Sequence, residues 1–209
     1  MTKSLLDAAR TNELLARVLS AQGVDGVYTT LTQFLAAATT AYVVTVIVRL
    51  SSDENSGLGE AVLAGSVSRW TWLLSAVAAA MCGAAVLLAC AGLGNGVGAG
   101  LTLGEPATIL RLTAAALAYL PAMAVVAGVA ALGVAVRRPG IGWLAVTFIV
   151  AALYLGALLR LPRWVVDSSP VGRITAPSSV SAPTLIVLTA VAAALVAIAG
   201  LLYRRRDAA

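Results

Sequence analysis

The chain contains no histidine, a single lysine and few charged residues of any kind. Charged residues make up 11% of its 209 residues, whereas soluble domains carry about 25%. A chain with so little charge cannot cover a water-facing surface, and several apolar runs exceed the roughly 18 residues that indicate a membrane-spanning helix. Without histidine, a zinc or haem site has few ligands to use. The scarcity of charge therefore predicts a helical protein that crosses a membrane several times.

Acidic residues are missing from the interior of every apolar run. All nine lie in loops or beside the runs, whereas membrane-embedded enzymes and secondary transporters place ionisable groups within the bilayer. The glycine-rich residues 92–100 lack the lysine and the strand of a phosphate-binding loop, so we interpret them as a flexible outer loop or a weakened helix end. We predict no catalytic residue, no metal site and no cofactor bound directly by this chain.

Five apolar runs predict an all-α polytopic membrane protein whose residues 1–209 form one transmembrane domain. The predicted spans are residues 28–48, 70–93, 107–136, 141–159 and 184–203. Residues 1–27 form an amphipathic segment that either lies in the membrane interface or packs on the rest of the protein. Pro121 lies within the third run, where a proline is expected to kink the helix.

The distribution of basic residues orients the chain. They divide seven against seven between the two sides, so their number alone does not decide. The pair Arg137 and Arg138 in a tight turn and the run Arg204 to Arg206 share one side, which we place in the cytoplasm together with the carboxyl terminus. The amino terminus is then outside. Because the basic residues flank the spans and form no stripe, we expect no nucleic-acid binding. The arginine-, alanine-, glycine- and valine-rich composition suggests a GC-rich bacterial genome, so the membrane we expect is that of a bacterial cell.

A charged insert, residues 49–72, separates the first two spans. Ser56 is a favoured helix N-cap, and Glu60 near the start of a helix suits the helix dipole. Leu58 and Val62 lie on a small apolar face. A short amphipathic helix of this kind fits a groove on a soluble partner. The alternative is a solvated connection that only joins the two spans.

The first span carries a polar stripe, and a second polar segment precedes the last span. The stripe either lines a substrate path or packs against a neighbouring helix; its members are Thr29, Thr32, Gln33, Thr39 and Thr40. Residues 161–170 mix a tryptophan with prolines and charges, so we interpret them as an outer re-entrant or interfacial segment, or else an ordinary outer loop. The residues we select there are Pro162, Trp164, Asp167 and Pro170.

Four motifs occur in a recognisable order. They are R-x-x-x-D-E-x-x-G-x-x-E-x-x-L-A-x-x-V-S-R-x-x-W at 49–72, ALAYLPA at 116–122, LPRWVVDSSP at 161–170 and YRRRD at 203–207. Together they resemble bacterial ABC exporter permeases of the type-2 class, which includes drug and polyketide-antibiotic exporters. The first motif is similar to the first cytoplasmic loop of that family.

The resemblance implies a transport role that depends on a separate subunit. The insert would hold a coupling helix seated in a cleft of an ABC ATP-binding subunit, which would carry ATP and Mg²⁺. The first, third and fourth spans would line an export path for hydrophobic or amphipathic compounds. A second permease half or a second copy would complete the path in the lipid bilayer. The matching coupling positions are Asp53, Glu54, Gly57, Glu60, Leu63 and Arg69.

The chain also departs from the family pattern. Permeases of this class have six spans in a unit, whereas this chain has five and begins in what resembles the segment after the first helix. It therefore resembles the carboxyl-terminal part of a longer permease. Gly65 and Ser66 stand where relatives often have Thr-Pro. The alternative function is a truncated or non-transporting membrane scaffold derived from such a permease.

Overall fold

The chain is helical throughout the part that the structure describes. The computed structural model describes residues 13–56, 68–103, 106–155, 171 and 182–205, and these residues form helices and turns without a strand. The helices are α1 (Glu13–Asn55), α2 (Arg69–Leu103), α3 (Ala107–Leu117), α4 (Leu120–Ala135), α5 (Gly140–Val150), a π-helical turn (Ala151–Leu155) and α6 (Ala182–Arg205). The predicted all-α fold is confirmed.

Several helical stretches are long and apolar enough to cross a membrane. Four meet both criteria, Thr30–Glu54, Arg69–Leu101, Ala107–Ala135 and Ala182–Arg204, and the shorter apolar stretch Gly140–Leu153 accompanies them. The hydrocarbon core of a bilayer is about 30 Å thick, which about 20 helical residues cross. Large apolar side chains remain exposed on the outside of the bundle, among them Leu101 and Leu110. The lengths and composition of these helices thus support the predicted multi-pass membrane protein.

Helix α1 is longer than the span predicted from the sequence. It runs without interruption for 43 residues, from Glu13 to Asn55, and thus continues through the predicted boundary at residue 28. Proline is absent from this stretch, so every residue after the first turn can donate its backbone N–H to the helix. Residues 13–27 belong to the same helix as the apolar span, while residues 1–12 lie outside the described part of the chain.

The glycine-rich segment that we interpreted as a loop or weakened helix end belongs to α2. The helix continues to Leu103, beyond the predicted end of the span at residue 93. A Cβ atom at Gly92 would lie 2.7 Å from the Cα of Thr113, and one at Gly96 would lie 2.8 Å from the Cα of Ile109. Small residues at such an interface let membrane helices approach closely. Close packing against α3 thus outweighs the low helix propensity of glycine.

The third predicted span is divided at the position of the expected kink. Ala118 and Tyr119 separate α3 from α4, and Pro121 occupies the first turn of α4. The backbone N–H of Tyr119 donates to the carbonyl of Ala116 over 3.2 Å, which is a tighter turn than the α-helix. Since Pro121 has no N–H, it cannot donate to the carbonyl of the preceding turn. The two helices follow one another through the bundle.

Helix α4 forms the centre of the bundle. Eleven of its 16 residues are buried, and it packs against α1, α2, α5 and α6. A helix that is apolar all round is expected in such an interior position. Gly128 brings it close to α6, because a Cβ at that position would lie 2.7 Å from the Cβ of Leu195.

A tight turn joins α4 to α5. Arg137 has a positive φ of 58°, and Arg138 donates its N–H to the carbonyl of Gly133 over 2.8 Å. This pattern, with the N–H of Arg137 bonded to Val134 over 3.1 Å, is a Schellman motif that ends α4. The connections place this turn towards the end of the bundle where α1 and α6 finish and α2 begins. We call this the charged end.

Candidate functional site

Three helix ends that are distant in sequence meet at the charged end. Glu54 lies in the last turn of α1, Arg69 is the first residue of α2, and Tyr203 lies near the end of α6. The Tyr203 hydroxyl donates a hydrogen bond to Oε1 of Glu54. Nη1 of Arg69 lies 3.8 Å from the same oxygen. One carboxylate oxygen therefore interacts with two other helices, and we name this arrangement, with Trp70 and Gly200, the Glu54 junction.

The Glu54 junction is partly shielded from water. Tyr203 is fully buried, while the side chains of Glu54 and Arg69 are 19% and 33% exposed. A buried hydroxyl that loses its partner costs about 1–3 kcal/mol, and hydrogen bonds to charged groups are stronger than neutral ones. The Tyr203 bond is therefore the more directional contact, and the Arg69 contact is weakened by its distance and exposure.

The two charges of the junction occupy helix ends that disfavour them. Glu54 lies at the carboxyl end of α1, where the helix dipole favours positive charge, and Arg69 lies at the amino end of α2, where it favours negative charge. Their proximity offsets both unfavourable interactions. The preferences of the two helix ends therefore do not explain why these charges occur there. Their contacts with each other and with Tyr203 do explain it.

Trp70 attaches α2 to α6 beside the charged pair. A Cβ atom added at Gly200 would fall within the ring of Trp70, so the ring lies against bare helix backbone. Gly200 and Tyr203 are three residues apart and share one face of α6. That face thus contacts α2 through the glycine and α1 through the tyrosine hydroxyl.

Local hydrogen bonds fix the two flanks of the charged insert, by which we mean the end of α1 and the start of α2 on either side of residues 57–67. Ser68 caps α2, since its Oγ accepts the backbone N–H of Thr71 over 3.1 Å. On the other side, the N–H of Ser56 donates to the carbonyl of Ser52, and its hydroxyl donates to the carbonyl of Asp53, both over 3.0 Å. The short helix for which Ser56 was predicted as the N-cap falls on residues outside the described part of the chain. Residues 57–67, which lie between these two ends, are not among the described residues.

The structure describes half of the predicted coupling positions. Asp53 is half-buried in the last turn of α1, and Glu54 and Arg69 contact each other. Gly57, Glu60 and Leu63 lie outside the described residues. The coupling role stays a prediction for all six, and the observed contact joins two of them within this chain.

Three residues of the junction were not selected from the sequence. Tyr203 appeared only as part of a terminal motif, and neither Trp70 nor Gly200 was assigned a role. The available signal was a tyrosine at the end of an apolar helix, one turn after a glycine. That signal becomes specific only when the fold brings the end of α6 beside Glu54.

The polar stripe of α1 lies largely inside the bundle. Thr32, Thr39 and Thr40 are buried, and each hydroxyl donates to a backbone carbonyl of the preceding turn over 2.6–2.8 Å. Gln33 is half-buried, and the side chain of Thr29 is outside the described set. These bonds satisfy the hydroxyls of the three buried threonines within α1 itself, and the choice between a substrate path and helix packing stays a prediction.

Asn95 of α2 adds a polar contact that the sequence analysis missed. Its Nδ2 donates to Oγ1 of Thr32 across 3.2 Å, on the half of α2 that holds Gly92 and Gly96. A lone amide in an apolar helix is a signal for such an interhelical bond.

The predicted outer segment, residues 161–170, is not among the residues that the structure describes. Pro162, Trp164, Asp167 and Pro170 lie outside the described residues, so the outer re-entrant segment stays a prediction. Val171, which follows them, is fully buried in the core. Within the described ranges, His, Cys, Asp and Glu side chains form no group of three or more that would suit a metal. Cys82 and Cys90 are unpaired and exposed on α2.

These features define a polytopic helical membrane protein with an interhelical polar junction at one end. The chain belongs to the family described as multidrug efflux system permease Rv1217c, C-terminal domain, which matches residues 1–204. It is 31% identical over 172 residues to the multidrug efflux system permease protein Rv1217c of Mycobacterium tuberculosis (strain ATCC 25618 / H37Rv). The matched region covers 80% of this chain and 31% of that relative, so the chain spans less than a third of the relative's length. The predicted resemblance to the carboxyl-terminal part of an exporter permease is confirmed.

Proposed function

We propose that this chain is a membrane-spanning subunit of an ABC exporter that moves hydrophobic or amphipathic compounds of the drug or antibiotic type outward. Support comes from membership of a multidrug efflux permease family and from the helices long and apolar enough to cross a bilayer. The observation that carries the proposal is the charged insert, whose two flanks are held together at the Glu54 junction.

The energy for export would come from a separate ATP-binding subunit. A segment between two fixed helix ends transmits force better than a segment on free ends, and residues 57–67 occupy such a place. In this proposal Glu60 and Leu63 of the insert contact the ATPase subunit, which holds ATP and Mg²⁺. A second permease half or a second copy of the chain completes the export path.

The charged end faces the cytoplasm in this proposal. Arg49, Arg69 and Arg204 lie towards that end of their helices, and Arg137 lies in the turn after α4, whereas Arg111 lies in α3 towards the opposite end. Dense arginines beside membrane spans favour the cytoplasmic side. In this proposal the carboxyl terminus lies inside a bacterial cell and the amino terminus lies outside.

The proposal is tested by reversing one charge in the insert. Glu60→Lys is compared with Glu105→Lys, an identical change in the connection between α2 and α3 at the opposite end of the bundle. We expect Glu60→Lys to reduce co-purification of the ATP-binding subunit from bacterial membranes, and export of a fluorescent lipophilic dye, by about tenfold or more. The expected loss corresponds to at least about 1.4 kcal/mol of association free energy.

Two results would contradict the proposal. Unchanged association and export in Glu60→Lys would remove the coupling role of the insert. Association of the wild-type chain with the ATPase subunit in the absence of any dye export would favour the alternative, a non-transporting scaffold. An equal loss in Glu105→Lys would mean that charge reversal damages the fold and not a docking surface.

A further inference from the structure

We propose that Glu54 is a positioning residue that connects the insert to the last helix through Tyr203, and that it is not a contact for the ATPase subunit. The inference rests on the proposed function and deepens it, because it assigns the route by which movement of the insert reaches the membrane helices. The Glu54 junction supplies that route with four side chains and one glycine.

The first step of the route is the contact between the two flanks of the insert. Glu54 precedes residues 57–67 and Arg69 follows them, yet Nη1 of Arg69 lies 3.8 Å from Oε1 of Glu54. The two flanks of the insert therefore meet at one point. The hydrogen bonds of Ser56 and Ser68 fix the backbone on either side of that point. A displacement of the insert is thus shared by α1 and α2.

The second step is the attachment of α6. Tyr203 is fully buried and bonded to the same carboxylate oxygen, and Trp70 lies against Gly200 one turn away. The ring contact opposes sliding of α6 along α2, while the hydrogen bond fixes the rotation of α6 about its axis. Two contacts of different kinds make the end of α6 follow the flanks of the insert.

The third step leads into the core. Helix α6 packs along α4, and Gly128 of α4 lies so close to Leu195 that a Cβ atom there would be 2.7 Å from the Cβ of the leucine. Packed interiors transmit displacement because they contain few voids. Since α4 also contacts α1, α2 and α5, movement of α6 reaches the centre of the bundle.

The burial of Glu54 separates it from a docking role. Its side chain is 19% exposed and its Oε1 already accepts from Tyr203. A residue that acts through Tyr203 and a residue that binds the ATPase subunit differ in what their loss does. Loss of the first leaves the subunit bound and hydrolysing ATP without export, whereas loss of the second releases the subunit.

The test compares two tyrosine hydroxyls in the full chain together with its ATPase subunit. Tyr203→Phe removes only the hydroxyl that bonds Glu54. Tyr42→Phe is the matched control, because Tyr42 is a half-buried tyrosine of α1 whose ring lies against Gly83. We expect Tyr203→Phe to keep co-purification within twofold of wild type and to lower dye export per ATP hydrolysed at least fivefold. Tyr42→Phe keeps both.

A double variant tests whether Tyr203 and Glu54 act together. Glu54→Ala is expected to show the same defect, and Glu54→Ala with Tyr203→Phe is expected to be no worse than Glu54→Ala alone, because residues in contact are not additive. Export per ATP hydrolysed is the decisive readout, since a general loss of folded protein lowers export and hydrolysis equally. If Glu54→Ala does not accumulate in membranes, Tyr203→Phe carries the test alone.

The outcomes separate this inference from the proposed function. Normal export per ATP in Tyr203→Phe overturns the inference, and so does loss of ATPase association in Tyr203→Phe or Glu54→Ala to the degree expected for Glu60→Lys. The proposed function fails on other grounds, when Glu60→Lys leaves association unchanged. A normal Tyr203→Phe beside a defective Glu60→Lys overturns the route through α6 alone.

Discussion

The two ends of α2 are attached to the bundle in different ways. At the charged end, Arg69 reaches towards Glu54 and the Trp70 ring lies against Gly200. At the other end, Gly92 and Gly96 bring the α2 backbone directly against α3. The first attachment consists of contacts made by the large side chains of Arg69 and Trp70. The second is a close approach of two helix backbones, which is possible because glycine has no side chain.

This difference sets how each end responds to change. At the first end, a substitution can remove a hydroxyl or a charge with little change in side-chain volume, so one contact can be removed while the packing around it is kept. At the second end, an atom added at Gly92 or Gly96 meets backbone of α3, which cannot rotate away as a side chain can. Overpacking of this kind typically costs about 1–3 kcal/mol. We therefore expect the glycine end to be the more sensitive of the two in stability.

The largest expected effect tests the glycine end directly. Gly96→Val places a side chain where a Cβ would already be 2.8 Å from the Cα of Ile109, whereas a Cβ at Gly94 has no neighbour within 4 Å. We expect Gly96→Val to lower the free energy of unfolding by about 3 kcal/mol, measured by denaturant titration in detergent micelles. Gly94→Val is the control and is expected to change it little. Similar losses in both variants would mean that α3 does not limit the space beside α2.

The next effect concerns the attachment of Trp70. Gly200→Ala forces the ring out of its position, with an expected cost of about 2 kcal/mol in the same unfolding measurement. In a Trp70→Ala background the same glycine change is expected to cost almost nothing, because the obstructing ring is gone. A full cost in that background would show that another atom occupies the space beside Gly200.

A smaller effect is expected for the polar contact beside the glycines. Asn95→Ala removes the 3.2 Å bond to Thr32, and interhelical hydrogen bonds in membranes contribute about 0.6 kcal/mol on average. The double-mutant cycle with Thr32→Val measures that bond apart from the threonine's own backbone contact. A coupling energy near zero would leave close packing as the attachment at this end.

The smallest effect is expected at Arg69. Its side chain is a third exposed, and its removal also relieves a positive charge from the amino end of α2. We expect Arg69→Gln to change the unfolding free energy by about 0.5 kcal/mol. The difference should shrink towards zero in 1 M salt, where the screening length is about 3 Å. The cost of Gly96→Val should not depend on salt, and an equal salt dependence in both would remove the distinction between the two ends.

Sequence patterns were sufficient for the features that depend on composition and local chain properties. Low charge and long apolar runs predicted the helical membrane fold, and Pro121 predicted a kink at the position where α3 ends and α4 begins. Glu54 and Arg69 were selected within the charged insert because they match the exporter motif. The fold and the kink follow from hydropathy and from the missing N–H of proline, whereas the two charges were recognised through the motif.

Contacts between distant segments were not predictable in the same way. The glycines of α2 suggested a loop or a weakened helix end, because local propensity contains no information about the closeness of α3. The bond between Glu54 and Tyr203 joins residues 149 positions apart, and no periodicity links them. The packing roles of Gly92, Gly96 and Gly200 can be recognised only when the helices beside α2 and α6 are known.

The uninterrupted length of α1 has a mechanical consequence. Its 43 residues correspond to about 65 Å at 1.5 Å per residue, roughly twice the thickness of the hydrocarbon core. Treated as a straight rod pivoting at the Glu54 junction, α1 is a lever arm: a tilt of about 5° displaces its far end by about 6 Å. An angular change too small to break a hydrogen bond at one side of the membrane thus becomes a displacement wider than a water molecule at the other.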